Sequence, residues 1–353
     1  MFVELKGLAA TLMSAAAILG GVTAAQAQDK VVYALTTTNI SVGNAAQSSV
    51  PLGMEYWKKE GLEVSVIGVA GTMLGVQQIA TGAVQFATAG PEAVLIARQK
   101  GLPIVAVYVM STPIYETVVI DDKIKSFKDL KGMTIGLPEM ASGSLPYARS
   151  AVKDAGLDPD KDVKFISVGL GASAANAIRQ KEIAAWSVWD TGIAALENSG
   201  FKFTKIDPPW LSKMPGNVII THEDLVKNKP EVVVKFLRGL AKATAFSLAN
   251  AEGTIRNHWV MYPATKPQEV TPKTMADSVN IYNSRASRMV KAPGRKWGEN
   301  IDAEWDNILM HSVEPLGEKG SPAVRSSYTN KFIDEVNKFE DAAVNAEAKA
   351  SKW

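Results

Sequence analysis

The feature that most constrains the fold is a recurring order of apolar segment, helical segment, glycine and apolar segment. Four predicted helices end at a glycine, and a strand-like segment follows each within a few residues: Gly61, Gly101, Gly156 and Gly200. Glycine at a helix C-terminus adopts the left-handed conformation without the steric cost of a Cβ atom. Strands that alternate with helices in this way form parallel α/β units. The pattern therefore predicts an α/β fold.

The strand-like segments are rich in Val and Ile, and Gly, Pro or Thr bounds them. They fall into two series, residues 31–35, 63–69, 84–88 and 104–109, then 117–120, 133–137, 163–168, 184–188 and 202–206. Predicted helices between them cover residues 45–59, 74–80, 92–100, 144–155, 172–181 and 192–198. After residue 221 the pattern is helical, with a long helix from Pro230 to about Asn250 and an amphipathic one over 330–349. A length of 353 residues fits about two domains.

Composition excludes several classes of function. The 38 Lys and Arg residues nearly balance the 36 Asp and Glu residues, so no strong field exists to attract nucleic acid. Cysteine is absent, which excludes disulfides, thiolate metal sites, cysteine nucleophiles and lipid attachment through cysteine. The three histidines are scattered without metal-ligand spacing. We therefore predict no metal, no cofactor and no nucleic-acid partner.

The first 27 residues are predicted to be a signal peptide. An uncharged, apolar stretch from Gly7 ends at Ala25-Gln26-Ala27, which matches an A-x-A cleavage pattern. The alternative is an uncleaved membrane anchor, but the stretch is rich in Ala, Gly and Thr, whereas a span needs about 20 strongly apolar residues. The mature chain is expected to begin near Gln28 as a free periplasmic protein.

One turn formally matches a dinucleotide-binding fingerprint. Gly169 to Ala174 reads G-x-G-x-x-A between a predicted strand and a predicted helix, and Asp190 follows about 20 residues on. The alternative, which we favour, is a tight strand-to-helix turn. Such a turn still leaves free backbone N–H groups at Gly171 and Ser173, which suit an anion or a polar ligand.

Three further turns combine ligand-binding groups with predicted strand or helix ends. Gly90 and Glu92 flank a proline at a helix start. Glu92 would favour an N–H or cationic group of a ligand; the alternative is that the three residues simply form a well-capped helix start. Residues 142–144, Ser-Gly-Ser, offer hydroxyls and free backbone N–H groups to a ligand. The alternative is an ordinary serine N-cap. Trp189 and Asp190 end a strand, where open α/β sheets keep ligands.

In several ordered stretches the chain resembles the substrate-binding proteins of nitrate/sulfonate/taurine-type ABC importers, a family that also includes binders of thiamine-precursor pyrimidines. The matching stretches are residues 60–64, 79–85 with 90–92, 124–132, 155–159 and 185–190. Two positions depart from the family pattern. Ala184-Ala185 stands where Asp-Ala is frequent, and Thr191-Gly192 stands where Pro-Tyr is frequent.

The resemblance implies a type II-like periplasmic binding protein, whose two lobes are joined by two crossovers and enclose a ligand cleft. Lobe 1 would comprise residues 29–113 and 219–353, including a helical C-terminal extension, and lobe 2 residues 114–218. The crossovers would lie near residues 111–116 and 216–221. Together, the turns and the resemblance give the candidate ligand contacts Thr37, Thr38, Asn39, Gly71, Thr72, Gly90, Glu92, Ser142, Gly143, Ser144, Gly171, Ser173, Trp189 and Asp190.

The function implied is that of a monomeric, non-enzymatic receptor without catalytic residues, which delivers a small molecule to an ABC permease and its ATPase. An organic anion, sulfonate or carboxylate, is favoured, because Trp189 could pack on its body while the turns bind its charge. The alternative ligand is a pyrimidine-type heterocycle or thiamine precursor. A secreted enzyme on the same fold is less favoured, because the related yeast pyrimidine synthase uses a cysteine-rich motif. A sensor subunit that presents ligand to a signalling receptor is a third hypothesis.

Overall fold

The computed structural model describes residues 28–314 and 324–353. The predicted signal peptide, residues 1–27, lies outside the described residues. The strands are β1 (Asp29–Leu35), β2 (Leu62–Gly68), β3 (Phe86–Ala89), β4 (Ile104–Val109), β5 (Tyr115–Val119), β6 (Thr134–Leu137), β7 (Lys164–Ser167), β8 (Ala185–Trp189), β9 (Thr204–Lys205) and β10 (Val218–His222). The helices are α1 (Ser49–Gly53), α2 (Tyr56–Lys59), α3 (Thr72–Ala80), α4 (Pro91–Gln99), α5 (Ser144–Asp154), α6 (Ala172–Arg179), α7 (Asp190–Asn198), α8 (Glu223–Asn228), α9 (Pro230–Ala249), α10 (Ala251–Met261), α11 (Pro272–Ala286), α12 (Asp302–Ile308), α13 (Ile333–Val336) and α14 (Asp341–Ala350).

The strands of the described residues form two five-stranded sheets. The sheet of order β2-β1-β3-β10-β4 defines lobe 1, and the sheet of order β7-β6-β8-β5-β9 defines lobe 2. In each sheet one strand runs against its neighbours: β10 is antiparallel to β3 and β4, and β5 is antiparallel to β8 and β9. The remaining pairs are parallel. The α/β class is therefore confirmed, with a mixed sheet in each lobe.

Two crossovers join the sheets, one between β4 and β5 and one between β9 and β10, and they lie side by side. The amide of Met110 donates to the carbonyl of Asn217 at 2.8 Å, and the amide of Gly216 donates to that of Ser111 at 2.7 Å. Short paired connections of this kind allow two rigid bodies to rotate about them.

The strand β10 is the element that the sequence analysis missed. The predicted crossover at residues 216–221 is shorter than expected, because Val218–His222 is a buried strand of the lobe 1 sheet. A short 3-10 helix (Pro209–Lys213) precedes it in place of an α-helix with a glycine C-cap, so the alternating pattern did not reveal it. The predicted division of the chain at residues 113/114 and 218/219 stays a prediction.

Two predicted helices are wrong as single elements. Residues 45–59 are divided among a 3-10 turn (Val42–Gln47), α1 and α2. Glu55, with φ 56°, separates α1 from α2. The predicted helix over 330–349 is divided into α13 and α14 by Asn337, whose side chain donates to the carbonyl of Trp297 and accepts from its amide at 3.0 and 2.9 Å.

The long helix α9 is held on lobe 1 by an aromatic stack. Phe236 of α9 lies between Phe86 of β3 and Trp57 of α2, with ring centroids 3.9 and 5.2 Å apart. The Trp57 indole N–H also donates to the Phe236 carbonyl at 3.0 Å. Such buried aromatic pairs contribute about 0.5–1.5 kcal/mol each beyond area burial. The stack thereby fixes where the following helices leave lobe 1.

The C-terminal helices contact both lobes. Helix α11 packs on α7 of lobe 2, where Asn198 donates to the carbonyl of Asp277 at 2.8 Å and accepts from Asn280 at 2.9 Å. Ser150 of α5 donates to the carbonyl of Ser312 at 2.8 Å. The segment predicted as an extension of lobe 1 therefore also borders the space between the sheets.

Candidate functional site

A cavity of about 40 Å³, called here the cleft cavity, lies where the lobes meet. It has room for roughly three water molecules. Its walls come from the carboxyl ends of β1, β3 and β8 and from both crossovers, which is where open α/β sheets bind ligands. The lining residues are Leu35, Thr36, Thr37, Asn44, Gln47, Thr72, Thr88, Ile114, Tyr115, Ser142, Gly143, Trp189, Asn217 and Arg285.

A second cavity of about 310 Å³, called here the side cavity, lies on the other side of Trp189. The Trp189 side chain is half-buried and lines both cavities. Loops of lobe 1, the start of α7 and one side of α11 complete its wall. The two cavities together offer a narrow polar space beside a wider one.

The structure places the predicted contacts in three groups. Those that line the cleft cavity are Thr37, Thr72, Ser142, Gly143 and Trp189. Those that line the side cavity are Asn39, Gly171 and Trp189. The others, which line neither cavity, are Thr38, Gly71, Gly90, Glu92, Ser144, Ser173 and Asp190. Among these, Thr38 and Ser173 are exposed, whereas Ser144 is buried with its hydroxyl 2.9 Å from that of Ser142.

Glu92 is buried behind Tyr115 rather than in the cleft cavity. Its carboxyl lines a small space bordered by both crossovers, and its Oε2 has no hydrogen-bond partner among the described residues. Burial raises the pKa of Glu92 to about 7, because the charged form loses its hydration there. A Cβ atom on Gly90 would lie 2.8 Å from the Glu92 Oε2 atom, so Gly90 gives this carboxyl its space.

Asp190 is held by an arginine that the sequence analysis did not identify. The Asp190 carboxylate accepts from Arg285 Nε at 2.8 and 3.0 Å and from Nη2 at 2.6 Å, and both side chains are buried. Arg285 lies in α11, 95 residues further along the chain, so no local pattern links the two. The role of Asp190 as a direct ligand contact stays a prediction.

Arg285 brings a cation to the cleft cavity. Its second terminal nitrogen, Nη1, makes no hydrogen bond to any residue in 28–314 or 324–353, whereas Nε and Nη2 bind Asp190. The nearby Asp190 carboxylate raises the pKa of Arg285 against the opposing effect of burial. The guanidinium is therefore charged, oriented and available to an anion along one edge.

Asn217 supplies an unsatisfied amide in the same wall. This crossover residue lines the cleft cavity, and its Oδ1 is buried with no hydrogen-bond partner among the described residues. An unpaired buried acceptor costs about 1–3 kcal/mol, and a ligand N–H would remove that cost. The cavity thus combines a cationic donor with a neutral amide.

Arg288, which lies just beyond α11, holds the end of this helix against the hinge through an ion pair and two hydrogen bonds. Arg288 donates to the Glu116 carboxylate and to the Pro113 carbonyl, both in the first crossover region. The Arg288 carbonyl makes a further hydrogen bond, which it accepts from the Thr112 amide at 2.8 Å. The position of Arg285 is therefore coupled to the hinge.

The lobes touch at two glycines, which makes this a closed arrangement. A Cβ atom on Gly71, whose φ is 87°, would lie 2.5 Å from the Ala141 carbonyl oxygen of lobe 2. A Cβ atom on Gly43 would lie 2.3 Å from Thr191 Cγ2 of lobe 2. A larger residue at either position could not occupy this space without moving the lobes apart.

In the part of the chain that the structure describes, no group of three or more His, Asp or Glu side chains is arranged to hold a metal ion. The same residues contain no helix with the length and hydrophobicity needed to cross a membrane. Asp190, the acid of the dinucleotide-binding fingerprint, forms an ion pair with Arg285.

Comparison with known proteins gives a family and a fold. Residues 52–254 match the model of a family described as NMT1/THI5 like. A putative binding protein of Brucella abortus is 27% identical over 210 residues, which cover 56% of this chain and 62% of the relative. A formylaminopyrimidine-binding protein of Halalkalibacterium halodurans is 24% identical over 215 residues, covering 59% and 64%. The match thus spans about three fifths of the length of each of these two relatives.

A solved structure with the same fold is the alkanesulfonate-binding protein SsuA from Xanthomonas axonopodis pv. citri bound to MOPS. It superposes with a TM-score of 0.62 at 14% identity and covers 86% of this chain and 98% of that one. At this identity the likeness shows the fold alone. The predicted two-lobed periplasmic-binding-protein fold is thereby confirmed.

Proposed function

Because the chain belongs to the NMT1/THI5-like family, we propose that it is the periplasmic solute-binding component of an ABC importer. It captures a small organic anion, a sulfonate or carboxylate, and delivers it to a separate permease and ATPase. It acts as a monomer, and it binds its ligand without chemical change. The predicted export signal in residues 1–27 supports the location.

The observation that carries the proposal is the free edge of Arg285 in the cleft cavity. Charge-assisted hydrogen bonds from an arginine that is already oriented by a carboxylate suit a sulfonate or carboxylate oxygen. Thr37 and Ser142, which carry hydroxyl groups, line the same cavity. Trp189 separates the cleft cavity from the side cavity, which provides space for the organic body of the ligand once the lobes open.

A first experiment identifies the ligand class. A thermal-shift screen of the mature protein would compare sulfonates, aliphatic and aromatic carboxylates, nitrate, pyrimidines and amines. A ligand at a hundred times its Kd stabilises by about 2.7 kcal/mol, which raises the melting temperature measurably. An importer subunit of this kind is expected to respond to an organic anion.

A second experiment tests the site by calorimetry of that anion. Removing Arg285 alone would leave the buried Asp190 carboxylate with only the Arg288 Nε atom, at 3.5 Å, as a cationic partner. The double variant Arg285→Gln/Asp190→Asn therefore replaces the whole pair. Loss of a charged hydrogen bond should weaken binding roughly 10- to 150-fold. The matched control is Arg149→Gln/Asp160→Asn, an exposed bidentate pair of the same types at 2.7 and 3.0 Å. Binding unchanged in the cleft variant would refute the assignment.

A pyrimidine-type heterocycle is the second candidate ligand. The unpaired Asn217 amide favours it, because ring N–H and amino groups are donors that Oδ1 can accept. In this case Asn217→Leu abolishes binding while Arg285→Gln/Asp190→Asn leaves it nearly unchanged. The opposite pattern supports the anion.

A further inference from the structure

A cavity of about 590 Å³, called here the distal cavity, lies in lobe 2 at the end away from the cleft. Its lining includes the end of β5 and the start of β8, whereas the cleft cavity takes Tyr115 at the start of β5 and Trp189 at the end of β8. Since β5 and β8 are antiparallel, these are opposite edges of the sheet. The volume lies within the range of small-molecule sites, about 300–1,000 Å³.

The distal cavity has an aromatic and aliphatic wall, part of which is exposed. Phe201 and Phe203 stack with ring centroids 5.9 Å apart. Ile120 and Met133 are 50% and 38% exposed although both line the cavity. Exposed apolar side chains grouped around one cavity are unfavourable in water unless a ligand covers them.

Two cations border this wall. The Arg179 guanidinium lies over the Phe201 ring at 5.0 Å, which orients it. Lys181 adopts φ 58°, a left-handed conformation that is strained for a residue other than glycine. Asp121, the acid in the lining, is exposed, and its carboxylate accepts from the Lys123 amide at 2.9 Å.

A buried polar group in the same wall lacks a partner. Trp186 is 1% exposed and lines the cavity, and its Nε1 has no hydrogen-bond partner among the described residues. Buried tryptophan N–H groups usually donate to an acceptor. The wall therefore encloses one unpartnered N–H group, which a ligand acceptor reaches through a small shift of the indole, and two cations lie at its border.

We propose that the distal cavity is a second binding site, separate from the cleft, for a hydrophobic aromatic carboxylate that carries a further hydrogen-bond acceptor. The aromatic body covers Phe201, Ile120 and Met133. The carboxylate is bound by Arg179 and Lys181, and the Trp186 N–H donates to the second acceptor. This site does not depend on the ligand proposed for the cleft.

The test uses 6-hydroxy-2-naphthoate as the probe and its methyl ester as the uncharged comparison. Binding is followed by calorimetry and by the indole N–H resonances of protein labelled with ¹⁵N-tryptophan, with the Trp186 signal assigned from Trp186→Phe. The measurements are made in the background of Arg285→Gln/Asp190→Asn, which separates the distal cavity from the cleft. Saturable binding of the acid and a shift of the Trp186 resonance are expected.

Two variants test the cations. Arg179→Gln should weaken binding of the acid about tenfold or more and leave the ester unchanged. Lys181→Gly should also weaken binding of the acid, while the melting temperature stays the same or rises because the left-handed residue becomes glycine. Equal affinities for acid and ester, or a Trp186 resonance that does not move at saturation, would overturn the proposal. Acid binding that the cleft background abolishes would also overturn it.

Discussion

Substituting Gly43 with alanine should act as a wedge between the lobes. The added Cβ atom would lie 2.3 Å from Thr191 Cγ2, about 1.1 Å short of the 3.4 Å at which ordinary contact begins. Gly43 lies in the 3-10 turn of lobe 1 and does not have a positive φ, so alanine introduces no backbone strain there. The clash therefore opposes closure and leaves each lobe intact.

The cost of such overpacking is typically about 1–3 kcal/mol. If this cost applies to the closed state alone, ligand binding becomes roughly 5- to 150-fold weaker. Small-angle scattering of the unliganded protein should give a larger radius of gyration for Gly43→Ala than for the wild type. The melting temperature of the lobes should change little.

Thr191→Ser is the matched rescue, because it removes only Cγ2. In the double variant Gly43→Ala/Thr191→Ser, the nearest Thr191 atom that remains is Cβ at 3.3 Å, which a small shift accommodates. The radius of gyration and the affinity should therefore return close to wild type. If the single variant keeps the wild-type radius, or the double variant fails to restore it, the lobes do not close through this contact.

Three further predictions concern stability. The pKa of Glu92 is raised by burial to about 7, so the free energy of unfolding should fall by about 3 kcal/mol as pH rises from 4.5 to 7, where the unfolded chain releases a proton that the native state keeps. Urea unfolding should accordingly show Glu92→Gln more stabilising, relative to wild type, at pH 8 than at pH 4. Burial lowers the pKa of His258 to about 4, so its contribution has the opposite slope and stability is lost as pH falls from 6.5 to 4. His258→Gln should lessen this acid destabilisation in melting curves, and an equal loss in variant and wild type would contradict the assignment. A chelator should leave the melting temperature unchanged, since the described residues contain no group of three or more His, Asp or Glu side chains that could hold a metal ion, and a decrease would disprove this.

The parallel strands of both sheets could be predicted because their signal is local. A Val- and Ile-rich segment, a helix and a glycine stop lie within about 30 residues of each other, so β1 to β4 and β6 to β8 lie within a few residues of their predicted bounds. The antiparallel strands β5 and β9 also lie within a few residues of theirs. The strand β10 could not be predicted, because its place between β3 and β4 depends on pairing with residues over a hundred positions earlier. A local sequence pattern carries no information about pairing between segments that far apart in the chain.

The same limit applies to the site. The turns at Thr37, Ser142 and Trp189 line the cleft cavity, and their signal was a polar or aromatic residue at a strand or helix end. Arg285 had no such signal, since it lies inside an ordinary amphipathic helix. The interpretation that the turns bind the charge of the ligand therefore did not include Arg285. Only the packing of α11 on α7 brings Arg285 to Asp190.

The position of Arg285 has a consequence for how proteins of this kind are grouped. The stretch that matches the family model ends at residue 254, and Arg285 lies 31 positions beyond it. The matched stretch can therefore remain recognisable while the charge offered to a ligand changes in a helix that lies outside the match. Relatives sorted by the shared stretch alone would group receptors of anionic and neutral solutes together, and the residue facing Asp190 in the C-terminal helix would separate them.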